Sequence, residues 1–484
     1  MLYNFAIIGA GFGGLTAALR LQKSGETNFI LFERANAIGG TWRDNIYPGC
    51  ACDVQSHLYC FADEPNPYWT QNYSEQEEIW QYMQSVVDKR HLENYIQYQT
   101  EIKKLRFDAT EGVWHLTDQN GNNHSARMVI SAWGPLNRPV LPAFAGIEDF
   151  KGMYFHSARW QKNIDLKDKK VAIIGTGASA IQIIPSIAPQ VEQLWVFQRT
   201  GAWVTHRFNG SISPLMQKLY AQIPLLQRIR REMIYWYNEL IGLSFVGHWW
   251  FNRLVQQMSV KKLQKEVRDP VVRQKLQPNY VIGCKRILKS DDYYPTFNRP
   301  NVSLITDSIA SFVPQGIQTT DGNIYDCDVV VFATGFEAAD VVMTMQIYGK
   351  SGKDLIQLWA EESVSAYRGT TVADYPNLFF LLGPNTGLGH NSVVHIMDSQ
   401  MNYVMDYWQK LQQSKAKYFE LKPFVQKQYN DSIQKAFGNT VWASGCQSWY
   451  QNKKGKITAL YPHLTRRFRK ETAQMEWQDY NIVL

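Results

Sequence analysis

Apolar residues along this chain fall into short unbroken runs, each closed by glycine or another turn former. Tyr3 to Ile8, Phe29 to Phe32, Lys170-Val-Ala-Ile-Ile, Gln193-Leu-Trp-Val-Phe and Asp328-Val-Val-Val-Phe are of this kind. A continuous rather than alternating run predicts a strand covered on both faces, as in a parallel sheet. Between the runs, Leu15 to Gln22, Ile181 to Ile187 and Ser392 to Leu411 repeat their apolar positions at helical spacing. Strands alternating with helices predict an α/β fold. Val113-Trp-His-Leu-Thr and His124-Ser-Ala-Arg-Met-Val-Ile flank Gln119-Asn120-Gly121, which predicts a β-hairpin over the sheet. Residues 211 to 278 read as helical, with starts expected at Ser213-Pro214 and Asp269-Pro270, where proline suits the first helical position.

Two of the strands run into glycine-rich turns that carry chemistry. The first ends in Gly9-Ala10-Gly11-Phe12-Gly13-Gly14, and the strand after the following helix ends in Glu33. This is a G-x-G-x-x-G turn in a β-α-β unit. Its glycines let the backbone approach a pyrophosphate at the helix N-terminus, and its distal acid accepts ribose hydroxyls. The pattern returns at Gly175-Thr176-Gly177-Ala178-Ser179-Ala180, but the acid position now holds Gln198-Arg199-Thr200. A guanidinium pairs with a 2′-phosphate that a carboxylate would repel, so the second site should prefer NADP to NAD. An acid at one dinucleotide site and an arginine at the other point to a flavoprotein with FAD first and NADPH second. Asp328 to Gly335 reads as a buried strand whose closing glycine can pass close to a bound nucleotide.

The order of segments predicts two Rossmann-like dinucleotide-binding domains with a helical insertion. Residues 1–140 and 370–484 would form the FAD domain, with Leu378-Phe-Phe-Leu-Leu-Gly383-Pro384 as the returning strand. Residues 150–335 would form the NADP domain, interrupted by the insert at about 211–278; a Pro-bearing linker, Gly134 to Pro142, joins the two.

Composition narrows the function classes. With 45% hydrophobic and 19% charged residues over 484 positions, the chain is neither disordered nor collagenous nor a coiled coil. Its net charge of +7 is concentrated between Lys218 and Lys275, where eleven Lys/Arg face four Asp/Glu. That segment also holds Tyr235-Trp236-Tyr237 and His248-Trp249-Trp250-Phe251. The plain expectation is a helical subdomain over the active site with a solvated basic face; a peripheral membrane contact is the second. No nucleic-acid-binding signature accompanies the charge. Six cysteines are too few for a disulfide framework, so a reducing compartment is the default. Cys50-Ala-Cys52 is too tight for the usual zinc spacing, and no metal site is expected. There is no 18-residue uncharged apolar run, and the apolar N-terminus lacks a basic segment before it, so the expected location is the cytoplasm.

Between the two glycine turns lies Phe150-Lys-Gly152-Met-Tyr-Phe-His156-Ser-Ala-Arg-Trp160. This resembles F-x-G-x-x-x-H-x-x-x-W, the fingerprint of the type I Baeyer–Villiger monooxygenases, with Gln161 where the family has Pro or Asp. Gly39-Gly40-Thr41-Trp42, Asn45-Ile-Tyr47-Pro48-Gly49, Cys52-Asp53, Lys285-Arg286 and Phe297-Asn298-Arg299 are similar to further stretches of that family. So are Gly383-Pro384-Asn385, Gly389-His390-Asn391-Ser392 and Gly445-Cys-Gln-Ser-Trp449-Tyr450. The resemblance covers nearly the whole chain and is weakest in the insert.

The resemblance implies an enzyme in which NADPH reduces FAD and O₂ adds to the flavin at C4a. The peroxide then attacks a ketone, giving an ester or lactone. Arg286 is implied to hold the anionic peroxide and the developing alkoxide, since arginine keeps its charge. Asp53 is implied to position that arginine. Gly40, Thr41, Trp42, Asp53, Tyr59 and Ile102 would lie along the flavin; Lys285, Arg286, Arg199 and Thr200 would face NADP. Phe150, Gly152, His156 and Trp160 would gate the NADP domain rather than transfer protons. Partners would be a ketone, with a sulfide as a second class, and O₂. Three alternatives stand beside this: an N- or S-oxygenating flavin monooxygenase, a non-oxygenating NADPH oxidase, and a membrane-surface protein that keeps FAD structurally. Trp160 and Lys285-Arg286 argue against the first.

Overall fold

The computed structural model describes all residues except 135–137, 248, 337–344, 447 and 453, and the side chain of residue 249. The middle of the Pro-bearing linker and residues 337–344, after the strand that ends near Gly335, therefore lie outside the described residues.

The chain opens with β1 (Leu2–Ile8), α1 (Phe12–Lys23) and β2 (Phe29–Phe32). The short α2 (Thr41–Asp44) and α3 (Gln76–Lys89) follow, then β3 (Ile96–Gln97), β4 (Ile102–Asp108), β5 (Val113–Asp118) and β6 (Asn123–Ser131). β1 lies between β2 and β6 and is parallel to both. The strands β5 and β6 do form a hairpin, but it lies in the sheet rather than over it. β6 itself is the neighbour of β1, because Met128, Val129 and Ile130 are fully buried and need cover on both faces.

A second sheet begins with β7 (Met153–His156), β8 (Lys170–Ile174), α4 (Ala180–Ile187) and β9 (Gln193–Phe197), with β10 (Val204–Thr205) beyond it. Four helices follow: α5 (Pro214–Gln222), α6 (Pro224–Gly242), α7 (Trp249–Glu266) and α8 (Pro270–Leu276). Ser213 and Asp269 cap α5 and α8 through side-chain hydrogen bonds, each with proline at the first helical position. The chain returns through β11 (Leu288–Lys289), α9 (Tyr293–Thr296), β12 (Val302–Ile305), the β13–β15 meander (Ile309–Val313, Gly316–Thr319, Ile324–Asp326) and β16 (Val329–Phe332). The second sheet has the order β12-β9-β8-β16-β7, all parallel.

Re-entry into the first sheet occurs at β17 (Gln346–Tyr348), which pairs with β4. After α10 (Leu355–Glu362), β18 (Leu378–Phe380) pairs with β6. The chain closes with α11 (Val393–Ser414), β19 (Tyr418–Leu421), α12 (Pro423–Phe437), α13 (Thr465–Glu471) and β20 (Tyr480–Val483). The protein is thus an α/β molecule with two dinucleotide-binding sheets and a helical insertion. No helix among the described residues is long and apolar enough to cross a membrane.

Candidate active site

A cavity of about 1370 Å³ lies between the carboxyl ends of the two sheets. Both glycine turns open onto it. Gly9, Gly11, Phe12 and Gly13 line one wall, and Gly175, Thr176, Gly177, Ala178 and Ser179 another. Gly11 and Ser179 begin α1 and α4 without any side-chain cap; the first-turn N–H groups of α1 are left for a ligand, whereas in α4 those of Ile181 and Gln182 already donate to the Gly177 and Ser179 carbonyls. Gly9 needs its freedom: its φ is +100°, and a Cβ there would stand 2.7 Å from the Ala132 carbonyl oxygen. A Cβ on Gly177 would meet nothing and would project into open space. These features fit a dinucleotide pyrophosphate at each turn.

Two of the expected binding residues do not line the cavity. A Cβ on Gly14 would overlap the Gly9 carbonyl, so glycine here lets α1 sit directly on the turn. Ala180 is fully buried and packs in the core. Glu33 does line the cavity, but its carboxylate already accepts from the Ala10 N–H at 2.8 Å, the Ala35 N–H at 2.9 Å and Arg43 at 3.1 Å. Three of its roughly four acceptor directions are taken, leaving little beyond one bond for a ribose hydroxyl. Gly40, Thr41, Trp42, Tyr59 and Ile102 also face the cavity, and the Trp42 indole N–H donates to the Tyr59 hydroxyl at 3.1 Å.

Loop 47–53 joins the two halves. The Tyr47 hydroxyl donates to Gln182 on α4 at 3.0 Å, and the Gln182 amide donates back to the Ala51 carbonyl at 2.9 Å. A Cβ on Gly49 would stand 2.3 Å from the Ser186 hydroxyl, so only glycine permits this approach. The loop ends at Asp53, which accepts from the Arg286 Nε at 3.0 Å and from a second guanidinium nitrogen. Burial works against the Asp53 charge, yet the Arg286 guanidinium overrides it and holds the carboxyl below the usual range. Asp53 in turn pushes the Arg286 pKa up, so the guanidinium is permanently charged.

Two cavity-lining groups near this pair were not singled out from sequence. Lys289 lies three residues beyond Arg286, on the strand β11. Burial lowers its pKa, and Asp53 and Arg286 act on it with opposite sign. Its position was readable only once β11 was known. Tyr450, quoted only as part of a family tail, feels the charges of both Arg286 and Asp53; burial pushes its hydroxyl up to about 12.

At the second turn, Arg199, Thr200 and Lys285 line the cavity together. Burial and the Arg199 guanidinium lower the Lys285 pKa, so two cations face each other. Neither has an ion-pair partner among the described residues. That is a charge arrangement suited to a phosphate.

Phe150, Gly152, His156 and Trp160 stand one layer back from the cavity. His156 is buried at the end of β7. Its Nδ1 accepts from the Ala158 N–H at 3.1 Å, which leaves the proton on Nε2 to donate to the Gly335 carbonyl at 3.1 Å. Burial lowers its pKa, so it is a neutral donor. Gly335, by contrast, lines the cavity. Trp160 packs edge-on against Phe155, and Gly152 has no room for a Cβ beside the Asp328 carbonyl and Phe150.

Cys284 and Cys446 form a disulfide, while Cys50, Cys52, Cys60 and Cys327 are free and buried. The cysteine count alone gave no sign of a bond between positions 162 residues apart.

The description "Flavin-binding monooxygenase-like" matches residues 3–359. The chain is 42% identical to a Baeyer-Villiger monooxygenase of Pseudomonas aeruginosa, over 99% of this chain and 91% of that one. It is 39% identical to a Baeyer-Villiger monooxygenase of Streptomyces coelicolor, over 99% and 92%. Among solved structures, cyclohexanone monooxygenase from Rhodococcus sp. Phi1 bound to NADP+ superposes with a TM-score of 0.89 at 25% identity, over 100% and 99% of the two chains. OTEMO complexed with FAD and NADP gives 0.88 at 28%, over 99% of both. With two glycine turns, an Asp53–Arg286 pair between them and relatives matched end to end, the chain belongs to the flavin-binding monooxygenase-like family, in its Baeyer–Villiger branch.

Proposed function

We propose that this protein is an FAD- and NADPH-dependent Baeyer–Villiger monooxygenase that places one oxygen atom of O₂ beside a ketone carbonyl. FAD, reduced by NADPH, supplies the activated dioxygen. In this assignment residues 1–140 and the returning segment bind FAD, and residues 150–335 bind NADPH; the return begins at β17 (Gln346–Tyr348) rather than at 370, because that strand already pairs with β4.

The observation that carries it is Arg286, held by Asp53 at the junction of both dinucleotide walls. A guanidinium with a raised pKa stabilises negative charge on a substrate oxygen without donating a proton to it. Asp53 fixes its direction, and Lys289 adds a second positive charge nearby. The α1 N-terminus and Glu33 hold one dinucleotide. The α4 N-terminus, Arg199, Thr200 and Lys285 hold the other and select its 2′-phosphate. His156 holds the Gly335 carbonyl and so positions the turn at which that strand meets the cavity. The organic substrate is a ketone, with sulfides as a secondary class. Four of the six cysteines are free and buried, which fits a cytoplasmic location; the Cys284–Cys446 bond is the exception to it.

The test incubates the purified flavoprotein with NADPH, isotopically heavy O₂ and a panel of ketones, a sulfide and an amine. An ester or lactone carrying one heavy oxygen is expected. Sulfoxide or N-oxide alone would replace this function with electrophilic oxygenation. Peroxide without any organic product, across a broad ketone panel, would leave an oxidase.

A further inference from the structure

The helix α6 turns much of its polar side inward. Its buried face packs Ile234 and Tyr235 against Leu58 and sets beside them polar side chains that bond to the rest of the fold. Gln227 donates to the Asn66 carbonyl at 2.6 Å, and Arg231 donates to the carbonyls of His57, Leu58 and Cys60. Asn238 bonds Gln55, and Glu239 accepts from Asn391 and from the N–H groups of Thr465 and Arg466. The opposite face is apolar and bare. Leu225, Ile229, Met233, Trp236, Tyr237 and Leu240, three or four residues apart, form one stripe and are 48 to 63% exposed. On α7, Trp250, Leu254 and Met258 repeat every fourth residue and are similarly exposed. A soluble monomer rarely leaves such a run of large apolar side chains in water.

Charge tells which surface would cover it. By helical geometry Arg228 and Arg230 flank the α6 stripe on its two sides; Glu232 is the one acid on that outer half. Beside Trp236 lies a pocket of about 390 Å³ lined by Tyr235, Trp236, Asn402, Arg466, Arg469, Lys470 and Ala473. Its Arg469 guanidinium sits 5.5 Å from the centre of the Tyr235 ring. No carboxylate lines the pocket, and among the described residues none forms a salt bridge with Arg466, Arg469 or Lys470. Two copies of this face would bring like charges together, which disfavours self-association.

We propose that the outer face of α6, with the cationic pocket on α13, docks the protein onto an anionic phospholipid surface. The aliphatic stripe enters the acyl boundary, Trp236 and Tyr237 sit at headgroup level, and the pocket takes a lipid phosphate. This does not depend on the reaction proposed above.

The test floats the full-length flavoprotein with phosphatidylcholine vesicles, with and without phosphatidylglycerol. Binding is expected only to the anionic vesicles and should weaken as salt rises. Met233→Asp with Leu240→Asp should abolish it, and Arg469→Glu with Lys470→Glu should weaken it at least ten-fold. All variants should keep the bound-flavin spectrum and the NADPH oxidation rate, which shows that they fold. Four results would overturn the proposal. One is no flotation at low salt, and another is equal binding to neutral vesicles. A third is inorganic phosphate binding in the pocket without vesicle binding. The fourth is a dimer mass by light scattering that Met233→Asp returns to monomer.

Discussion

Asp53 is a single carboxylate among several cations, since Arg286, Lys289 and Arg207 all act on this corner of the cavity. Positive charge is therefore left over for an anion there. Arg286→Ala should keep FAD reduction by NADPH but cut ester formation at least a hundred-fold, about 3 kcal/mol of lost charge stabilisation. Single-turnover reduction and product analysis separate the two. Asp53 has a lowered pKa, so its contribution is fully present above the unfolded value of 3.8 and is lost only as pH falls below it. The oxygenation rate should therefore show no acid limb from this pair down to about pH 4. At the other wall, Arg199→Ala and Lys285→Ala should each raise the KM for NADPH roughly ten-fold or more and leave that for NADH nearly unchanged, because each removes a charge-assisted bond to a phosphate NADH lacks. Steady-state kinetics with both nucleotides checks this.

Among the elements, Glu239 ties α6 to the start of α13. Four donors hold it: His390, Asn391 and the N–H groups of Thr465 and Arg466. Burial opposes its charge, but these hydrogen bonds bring its pKa down to about 2. Glu239→Ala would strand two backbone N–H groups and should cost about 3 kcal/mol, read as a lower denaturant midpoint. With the folded pKa depressed, the ionised group's stabilisation is complete above the unfolded value of 4.5 and disappears as pH falls towards about 2. The gap between wild type and variant should shrink over that window. Much at this scale was readable from the chain. β2 and β9 begin and end where their apolar runs do, and Pro214 and Pro270 open the helices they announce. These signals are local: a glycine turn, a cap, a run of Val and Ile. What escaped is non-local. The spacing of Leu225, Ile229 and Met233 reveals an apolar stripe but not that it turns outward, because that depends on the polar partners waiting for Arg231 and Asn238. The motif around His156 stands behind the cavity wall, and its place behind Gly335 follows from parallel pairing of β7 with β16, which no local pattern announces.

Across the whole molecule, the cavity is built from segments that lie far apart in the chain. Loop 47–53, the stretch 285–289 and the segment around Tyr450 meet there, and only the family resemblance, not the spacing of residues, placed Asp53 and Arg286 at the cofactors. The Cys284–Cys446 bond joins the second of these to the third. Cys284 directly precedes Lys285 and Arg286, and Cys446 precedes Trp449 and Tyr450. Reduction should leave the two glycine turns themselves unaffected, so FAD stays bound. The segment carrying Tyr450 should then be cut faster by a protease at the exposed Lys454 and Lys456, as limited proteolysis with and without reductant would show. The redox history of a preparation thus becomes part of its identity. Samples grown or stored with different thiol levels would be mixtures of a stapled and an unstapled enzyme, alike in colour but unlike in how firmly one rim of the chamber is held.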